Sequence, residues 1–424
     1  MTRRRWLILG VVVLLALVAG LAVAWHLAKQ PAADIHNGAS AFFSDPPTTT
    51  QTETTAPAAT HKKKPFQGEP PWPMYGYNVA RTRDASAFRQ IKPPFHTVWK
   101  RKTFGILEYP PSFANGILYL ATDSGWTQAI DARTGDPVWT RRLGAGLANE
   151  AALSKTMMYV GSHDGHVYAL SRKTGKIIWK TKVGSEVECS QLYYRGRVYS
   201  GSHSGQVRAM DAKTGHILWT FQASGEVKSG LSTADGRLYF GDYSSTMYAL
   251  RISSGKLLWR THTAGLSSGY RSGSFYSTPS AAYGRVYIGN TDGKLYSFVA
   301  SNGQIAWTHS FGSWVYGSPA VHNGLVFETG YAGVVEALSA RTGNVQWQHT
   351  LPYRTTASPT VIGDYVYVGG HGGGTKGNLW AYDPGNGKQV WHFPDGLYST
   401  VIAAGDNHLV VAGRTTLYML KARG

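Results

Sequence analysis

Eight tryptophans recur at Trp99, Trp139, Trp179, Trp219, Trp259, Trp307, Trp347 and Trp391, separated by 40, 40, 40, 40, 48, 40 and 44 residues. A period near 40 restricts the fold to arrays in which one supersecondary unit is stacked on its neighbours. From Trp139 onward each tryptophan closes a segment of one design, as in AIDARTGDPVW (129–139), AMDAKTGHILW (209–219) and ALSARTGNVQW (337–347). The glycine four residues before each tryptophan follows Thr, Ser or Asn, a pair suited to a tight turn that needs positive φ. Upstream lie alternating strands such as GILYLAT and RVYIGN, then turns such as Asp164-Gly165 and Asp292-Gly293. Four short strands per unit describe the blade of an all-β propeller.

The two ends fix the count. Trp99 opens the series without the rest of its unit, and NHLVVAGRTTLYMLKARG at the C-terminus supplies strands that stop before a tryptophan. Joined, they make a last blade closed by both termini, so residues 72–424 are predicted to form an eight-bladed ring without free sheet edges.

The Ala-x-Asp-x-x-Thr-Gly-x-x-x-Trp segment resembles the tryptophan-docking motif of the pyrroloquinoline quinone (PQQ) repeat, or PQQ-binding-like, propellers, and WPMYGYNVARTRDA (72–85) is similar to their lead-in. Blade number and repeat type resemble the BamB-like members. The resemblance implies that each tryptophan ring docks on the next blade. It also implies a choice of function, because the repeat is structural and many members bind no quinone. One branch is a non-enzymatic scaffold for cell-envelope proteins; the alternatives are a PQQ- and calcium-dependent dehydrogenase-like oxidoreductase and an extracytoplasmic ligand sensor. The enzymes of the family imply a vicinal cysteine pair or other quinone-clamping residues, calcium-ligating acids and a catalytic carboxylate. Cys189 is the only cysteine, which excludes the pair, a disulfide and any multi-cysteine metal centre. No catalytic, cofactor or metal residue is assigned, and Cys189 is expected to be a buried thiol.

Trp6 to Leu27 reads WLILGVVVLLALVAGLAVAWHL, long enough at about 1.5 Å per residue to cross a hydrocarbon layer of about 30 Å. Arg3, Arg4 and Arg5 precede it, which predicts a cytoplasmic tail (1–5), a single-pass signal-anchor helix (6–28) and an extracytoplasmic remainder, with a signal peptide cleaved at the small-x-small site Ala22-Val23-Ala24 as the competing reading. Residues 29–71, rich in Thr, Pro and Ala, are expected to be a disordered linker.

Repeat-equivalent positions ahead of the innermost strands hold Glu108, Ala148, Glu188, Lys228, Tyr276, Tyr316, Thr356 and Ser399. They are expected to ring one mouth of the channel, with Glu108, Glu188, Lys228, Tyr276 and Tyr316 as binding candidates. The two longer repeats place extra residues near 261–276 and 369–378 on that same face, adding Tyr270, Arg271, Phe275, His371 and Lys376. His163, His166 and His203 lie in turns without evident acidic partners and are read as surface residues. After Pro71 the chain holds 35 basic and 20 acidic residues. Outside a membrane this points to envelope proteins or anionic surface polymers rather than nucleic acid, with attraction that fades as salt rises. A monomeric propeller is expected.

Overall fold

Alternation of apolar and polar residues makes each 40-residue unit a four-stranded antiparallel sheet. In the third, Leu192–Tyr194, Arg197–Gly201, Gln206–Asp211 and Ile217–Gln222 pair in sequence order. The second strand is buried on both faces because neighbouring sheets sandwich it, whereas the outermost strand turns alternate residues to solvent. The turn between the first two strands has positive φ at both central residues, Arg195 (47°) and Gly196 (76°), the hairpin geometry that matches strand twist.

The computed structural model describes residues 34–37, 43–45, 72–263, 273–370, 378–395, 400–405 and 407–423. These form eight sheets. Blades 1 to 7 begin at residues 112, 152, 192, 232, 280, 320 and 360. Blade 8 joins Thr400–Ala403, His408–Gly413 and Thr416–Ala422 to Phe95–Lys102, which pairs antiparallel with Thr416–Ala422. The all-β eight-bladed propeller is thus closed by strands from both ends. The predicted tail 1–5 and transmembrane segment 6–28 lie outside the described residues, among which no helix is long and apolar enough to cross a membrane. Within the predicted linker, residues 34–37 and 43–45 lie against blade 5. Thr308 N–H donates to Ile35 O at 2.8 Å, Lys294 meets Asp34 at 3.3 Å, and Phe43 packs on Tyr283.

Tryptophan docking holds the blades together. The indole N–H groups of Trp99, Trp139, Trp179, Trp219, Trp259, Trp307 and Trp347 donate to Ala132, Arg172, Ala212, Ile252, Ala300, Ala340 and Pro384 carbonyls of the following blade at 2.8–3.2 Å. Each ring lies on that blade's turn glycine. At Gly175 (φ +67°) a Cβ would stand 2.6 Å from the Trp139 ring, so glycine is required both by conformation and by close approach. Trp391 departs from the pattern: it packs against Phe95 with ring centroids 5.0 Å apart. The corresponding turn of blade 8 is replaced by the two chain ends, where Phe95 pairs with Ala422, and so carries no glycine to stack on.

The lead-in is a stopper inside the ring. Its carbonyls at Trp72, Pro73, Val79, Ala80, Thr82 and Arg83 accept from Phe113, Leu153, Thr233, Ala281, Val321 and Val361, in the innermost strands of blades 1, 2, 4, 5, 6 and 7. Asp84–Ala85 adds a parallel strand to blade 7. Arg81 and Arg83, each 1% exposed, complete the seal. Arg81 donates to Leu231 O (2.9 Å), Gln191 O (2.8 Å) and Tyr75 O; Arg83 donates to Pro359 O and Thr360 Oγ1 at 2.6 Å. Both adopt left-handed backbone, φ +59° and +53°, an uncommon state for non-glycine residues that these bonds hold in place. The channel expected from the repeat is therefore closed at one end.

Candidate binding cup

Because successive strands alternate direction, connections between second and third strands and between successive blades share one face. Above the stopper, that face opens into a cavity of ≈ 350 Å³ lined by residues including Tyr75, Glu108, Tyr109, Tyr276, Thr278, Tyr316, Ser318, Ser358 and Arg414. Pro111, Pro279, Pro319 and Pro359 immediately precede innermost strands. There a missing N–H costs no ladder bond.

Tyr75 forms the floor. Its hydroxyl bonds Ser318 Oγ at 3.0 Å and Ser358 Oγ at 2.8 Å, and the Arg83 guanidinium lies 4.8 Å from its ring centre beneath. A belt of bonds joins adjacent blades at this level: Thr278 N–H to Ser318 Oγ (2.9 Å), Ser318 N–H to Ser358 Oγ (2.8 Å), and Glu150 N–H to Ser190 Oγ (3.1 Å). The walls are aromatic, with Tyr75–Tyr109 at 5.3 Å and Tyr276–Tyr316 at 5.8 Å, both edge to face. Burial, then Glu188 and Glu108, push the Tyr276 hydroxyl well above its usual value; burial does the same for Tyr109. Both remain neutral hydrogen-bond donors.

The mouth residues predicted from the repeat come together. Glu108, Tyr276 and Tyr316 line the cup, while Glu188 and Lys228 stand on its rim. Lys228 meets Glu226 at 3.4 Å and Glu188 at 3.8 Å, and lies 4.9 Å from the Tyr243 ring centre. The two glutamates diverge electrostatically. Burial, then the like charges of Glu188 and Asp123, raise Glu108, only partly offset by His163 and Arg414. Burial would raise Glu188 too, but a hydrogen bond from His203 and the charge of Lys228 hold it below its usual value.

The loop-face candidates fare differently. Phe275 is 0% exposed and edge to face with Tyr296 and Phe298, so it is a core residue. It fills the space that the missing side chain of Gly241 leaves in blade 4. Tyr270, Arg271, His371 and Lys376 lie outside the described residues. The turn histidines do have acidic neighbours: His203 Nδ1 is 3.4 Å from Glu186 and Nε2 3.4 Å from Glu188, and His166 is 3.3 Å from Asp164. At His203 the two carboxylates stand beside opposite ring nitrogens, and one ligand atom from each of Glu186, Glu188 and His203 lies within 4.8 Å of the others.

Two buried carboxyls, Glu150 and Glu328, escaped the sequence reading because charged residues are expected at surfaces. Glu150, buried beside the stopper, accepts from Ser112 at 3.0 Å; burial drives its carboxyl well above the usual range despite Ser112, Arg81 and Arg83. Glu328 is pushed up to about 8 by burial and accepts from Thr329 N–H at 2.8 Å. Its carboxylate occupies the place left by the missing side chain at Gly317, 40 residues after Ser277, whose hydroxyl accepts from Gly289 N–H at 3.2 Å. Cys189 stands at the same repeat position in blade 3, buried, hydrogen-bonded to Gly201 and pushed up to about 12 by burial.

PQQ is a tricarboxylate that needs cations around it, and calcium needs several oxygen ligands, anionic ones among them. Glu108 is the single carboxylate lining the cup, beside one arginine and a tyrosine wall, and Arg81 and Arg83 are committed to the stopper. Among the described residues this donor set does not fit PQQ with calcium.

Residues 96–192, 123–276 and 271–396 match the family model described as outer membrane protein assembly factor BamB. No curated protein sequence matches the chain. BamB from Moraxella catarrhalis aligns at 18% identity over 77% of this chain and 100% of that one, with a TM-score of 0.65. The quinohemoprotein alcohol dehydrogenase from Comamonas testosteroni aligns at 16% identity over 84% and 81%, TM-score 0.66. A europium-containing methanol dehydrogenase aligns at 14% identity over 84% and 99%, TM-score 0.71. At such identities the structures share the fold alone. The family matches overlap into continuous coverage of residues 96–396, and the chain belongs to the BamB-like family of PQQ-repeat propellers.

Proposed function

We propose that this protein is a membrane-anchored, extracytoplasmic propeller that binds envelope proteins on its cup face and performs no chemistry of its own. The observation that carries this reading is the sorting of exposed side chains. Phe104 (54% exposed), Trp314 (46%) and Tyr353 (37%) all lie on blade-to-blade connections of the cup face. The exposed aliphatics Val98, Val138, Ile178, Leu218, Leu257, Leu258, Val345 and Val390 are dispersed along outer strands. Trp314 packs against Tyr316 and Tyr331, which Arg354 covers at 5.4 Å. Aromatic and arginine side chains grouped around a depression are the composition of binding hot spots. The apolar stretch 6–28 behind Arg3–Arg5 supports anchoring, and the BamB-like family membership supports an envelope setting.

A photo-crosslinking residue at Trp314 or Phe104 of the full chain in membranes is expected to trap a discrete protein adduct. The same residue at Lys213, on the opposite face, is expected to trap none. Equal labelling from both positions removes the binding-face assignment. The dehydrogenase reading rests on the shared fold with the two quinone-type enzymes. Stoichiometric PQQ uptake with calcium, followed by dye reduction, overturns the scaffold reading.

A further inference from the structure

The cup's lining is aromatic, and its one carboxylate, Glu108, stands with one guanidinium, Arg414, in a domain where basic residues outnumber acidic ones, 35 to 20 after Pro71. We infer that the cup is a receptor for the ammonium group of a lysine side chain on a partner polypeptide, held between the Glu108 carboxylate and the faces of Tyr276 and Tyr316. The source of the lysine rests on the scaffold reading; the recognition itself rests on the cup.

Three observations carry it. First, Glu108 lines the open cup and reaches solvent, and among the described residues no side chain hydrogen-bonds or ion-pairs with it. The carboxylates around it on the rim, by contrast, are engaged: Glu188 with His203 and Lys228, Glu226 with Lys228. Second, Tyr276 and Tyr316 stand at 89° to one another with ring centres 5.8 Å apart, beside Tyr109 and above Tyr75. Ring faces at such angles form the electron-rich walls that attract a cation. The same interaction already occurs on the rim, where Lys228 lies over Tyr243. Third, the field around Glu108 is left partly uncompensated. Burial and the charges of Glu188 and Asp123 raise its proton affinity, while His163 and Arg414 offset this in part. A further cation arriving at Glu108 relieves the same repulsion.

An ammonium suits the site better than a guanidinium. Its three hydrogens diverge, matching one carboxylate among hydroxyls, whereas a guanidinium is best met by planar, bidentate acceptors. An aliphatic stem would pass the exposed aromatic rim on its way in.

The test titrates Nα-acetyl-lysine methylamide into the full chain in detergent, following ligand NMR shifts, with the norleucine and glutamate analogues as neutral and anionic probes. Lysine is expected to bind with a dissociation constant on the order of 1 mM. The norleucine analogue should bind about tenfold more weakly, and the glutamate analogue more weakly still. Glu108→Gln should weaken lysine about tenfold while leaving norleucine unchanged, and Tyr276→Leu should weaken it several-fold. Thermal unfolding of each variant within a few degrees of the parent shows that the fold is kept. Norleucine binding as tightly as lysine, a Glu108→Gln variant with unchanged lysine affinity, or no lysine binding at about 50 mM would each overturn the inference. Lysine binding without crosslinked partners at Trp314 supports the cup and removes the scaffold reading; crosslinks without lysine binding do the reverse.

Discussion

The two ends of the propeller channel are built from the same innermost strands and have opposite chemistry. At the closed end Arg81 and Arg83 are removed from water and donate to backbone carbonyls and one hydroxyl of blades 3, 4 and 7, with Arg83 Nη1 left without a hydrogen bond among the described residues. At the open end Glu108, Glu188 and Lys228 remain in contact with solvent or with one another, and tyrosine hydroxyls replace backbone as the lining. What separates them is the lead-in, residues 72–85, which occupies one end and, among the described residues, leaves the other open. A channel lined by inward carbonyls and N–H groups must satisfy them with water or with chain. Here one end uses chain and becomes structural, and the other opens to solvent.

Substitutions at the two ends should therefore differ by several-fold in stability cost. Arg81→Ala strips donors from three sealed carbonyls and a neighbouring positive charge from buried Glu150, and is expected to cost about 3–5 kcal/mol in chemical denaturation. A loss below about 1 kcal/mol would show that the stopper is dispensable. Next in size is a pH effect confined to the interior. An unfolded glutamate releases its proton near pH 4.3, whereas folded Glu328 holds it to about 8. Stability should thus fall as pH rises through that window and level off above it, with Glu150 acting in the same direction. Glu328→Gln should flatten the decline, and an unchanged slope would exclude Glu328 as its source.

Tyr75→Phe sits where the ends meet. Losing its bonds to Ser318 and Ser358 should lower stability by about 1 kcal/mol. No measurable change would mean that water substitutes for the hydroxyl. The smallest effect is expected at the rim: Lys228→Ala should alter stability by no more than about 0.5 kcal/mol, because its ion pairs are partly solvated. A loss comparable to that of Arg81→Ala would erase the distinction between structural and binding ends.

The blades were legible because each repeats a turn glycine under a tryptophan of its neighbour, and both partners are distinctive residues at fixed spacing. Trp391 was read as an eighth docking residue, yet its partner turn is the chain break itself, and Phe95 takes the glycine's place. The mouth residues were legible by register alone: repeat-equivalent positions cannot reach different depths of one ring. Phe275 was misplaced because an eight-residue insertion hides which of its residues rejoin the strand.

By itself the sequence determined the architecture, since periodic turns, alternating strands and split ends admit one closed ring. The tertiary structure alone decided that the ring is a cup. Within the lead-in Arg81 and Arg83 carry no distinguishing signal until the inward carbonyls of strands 110 to 277 residues away converge on them, and such long-range satisfaction of polar groups leaves no local pattern in a chain.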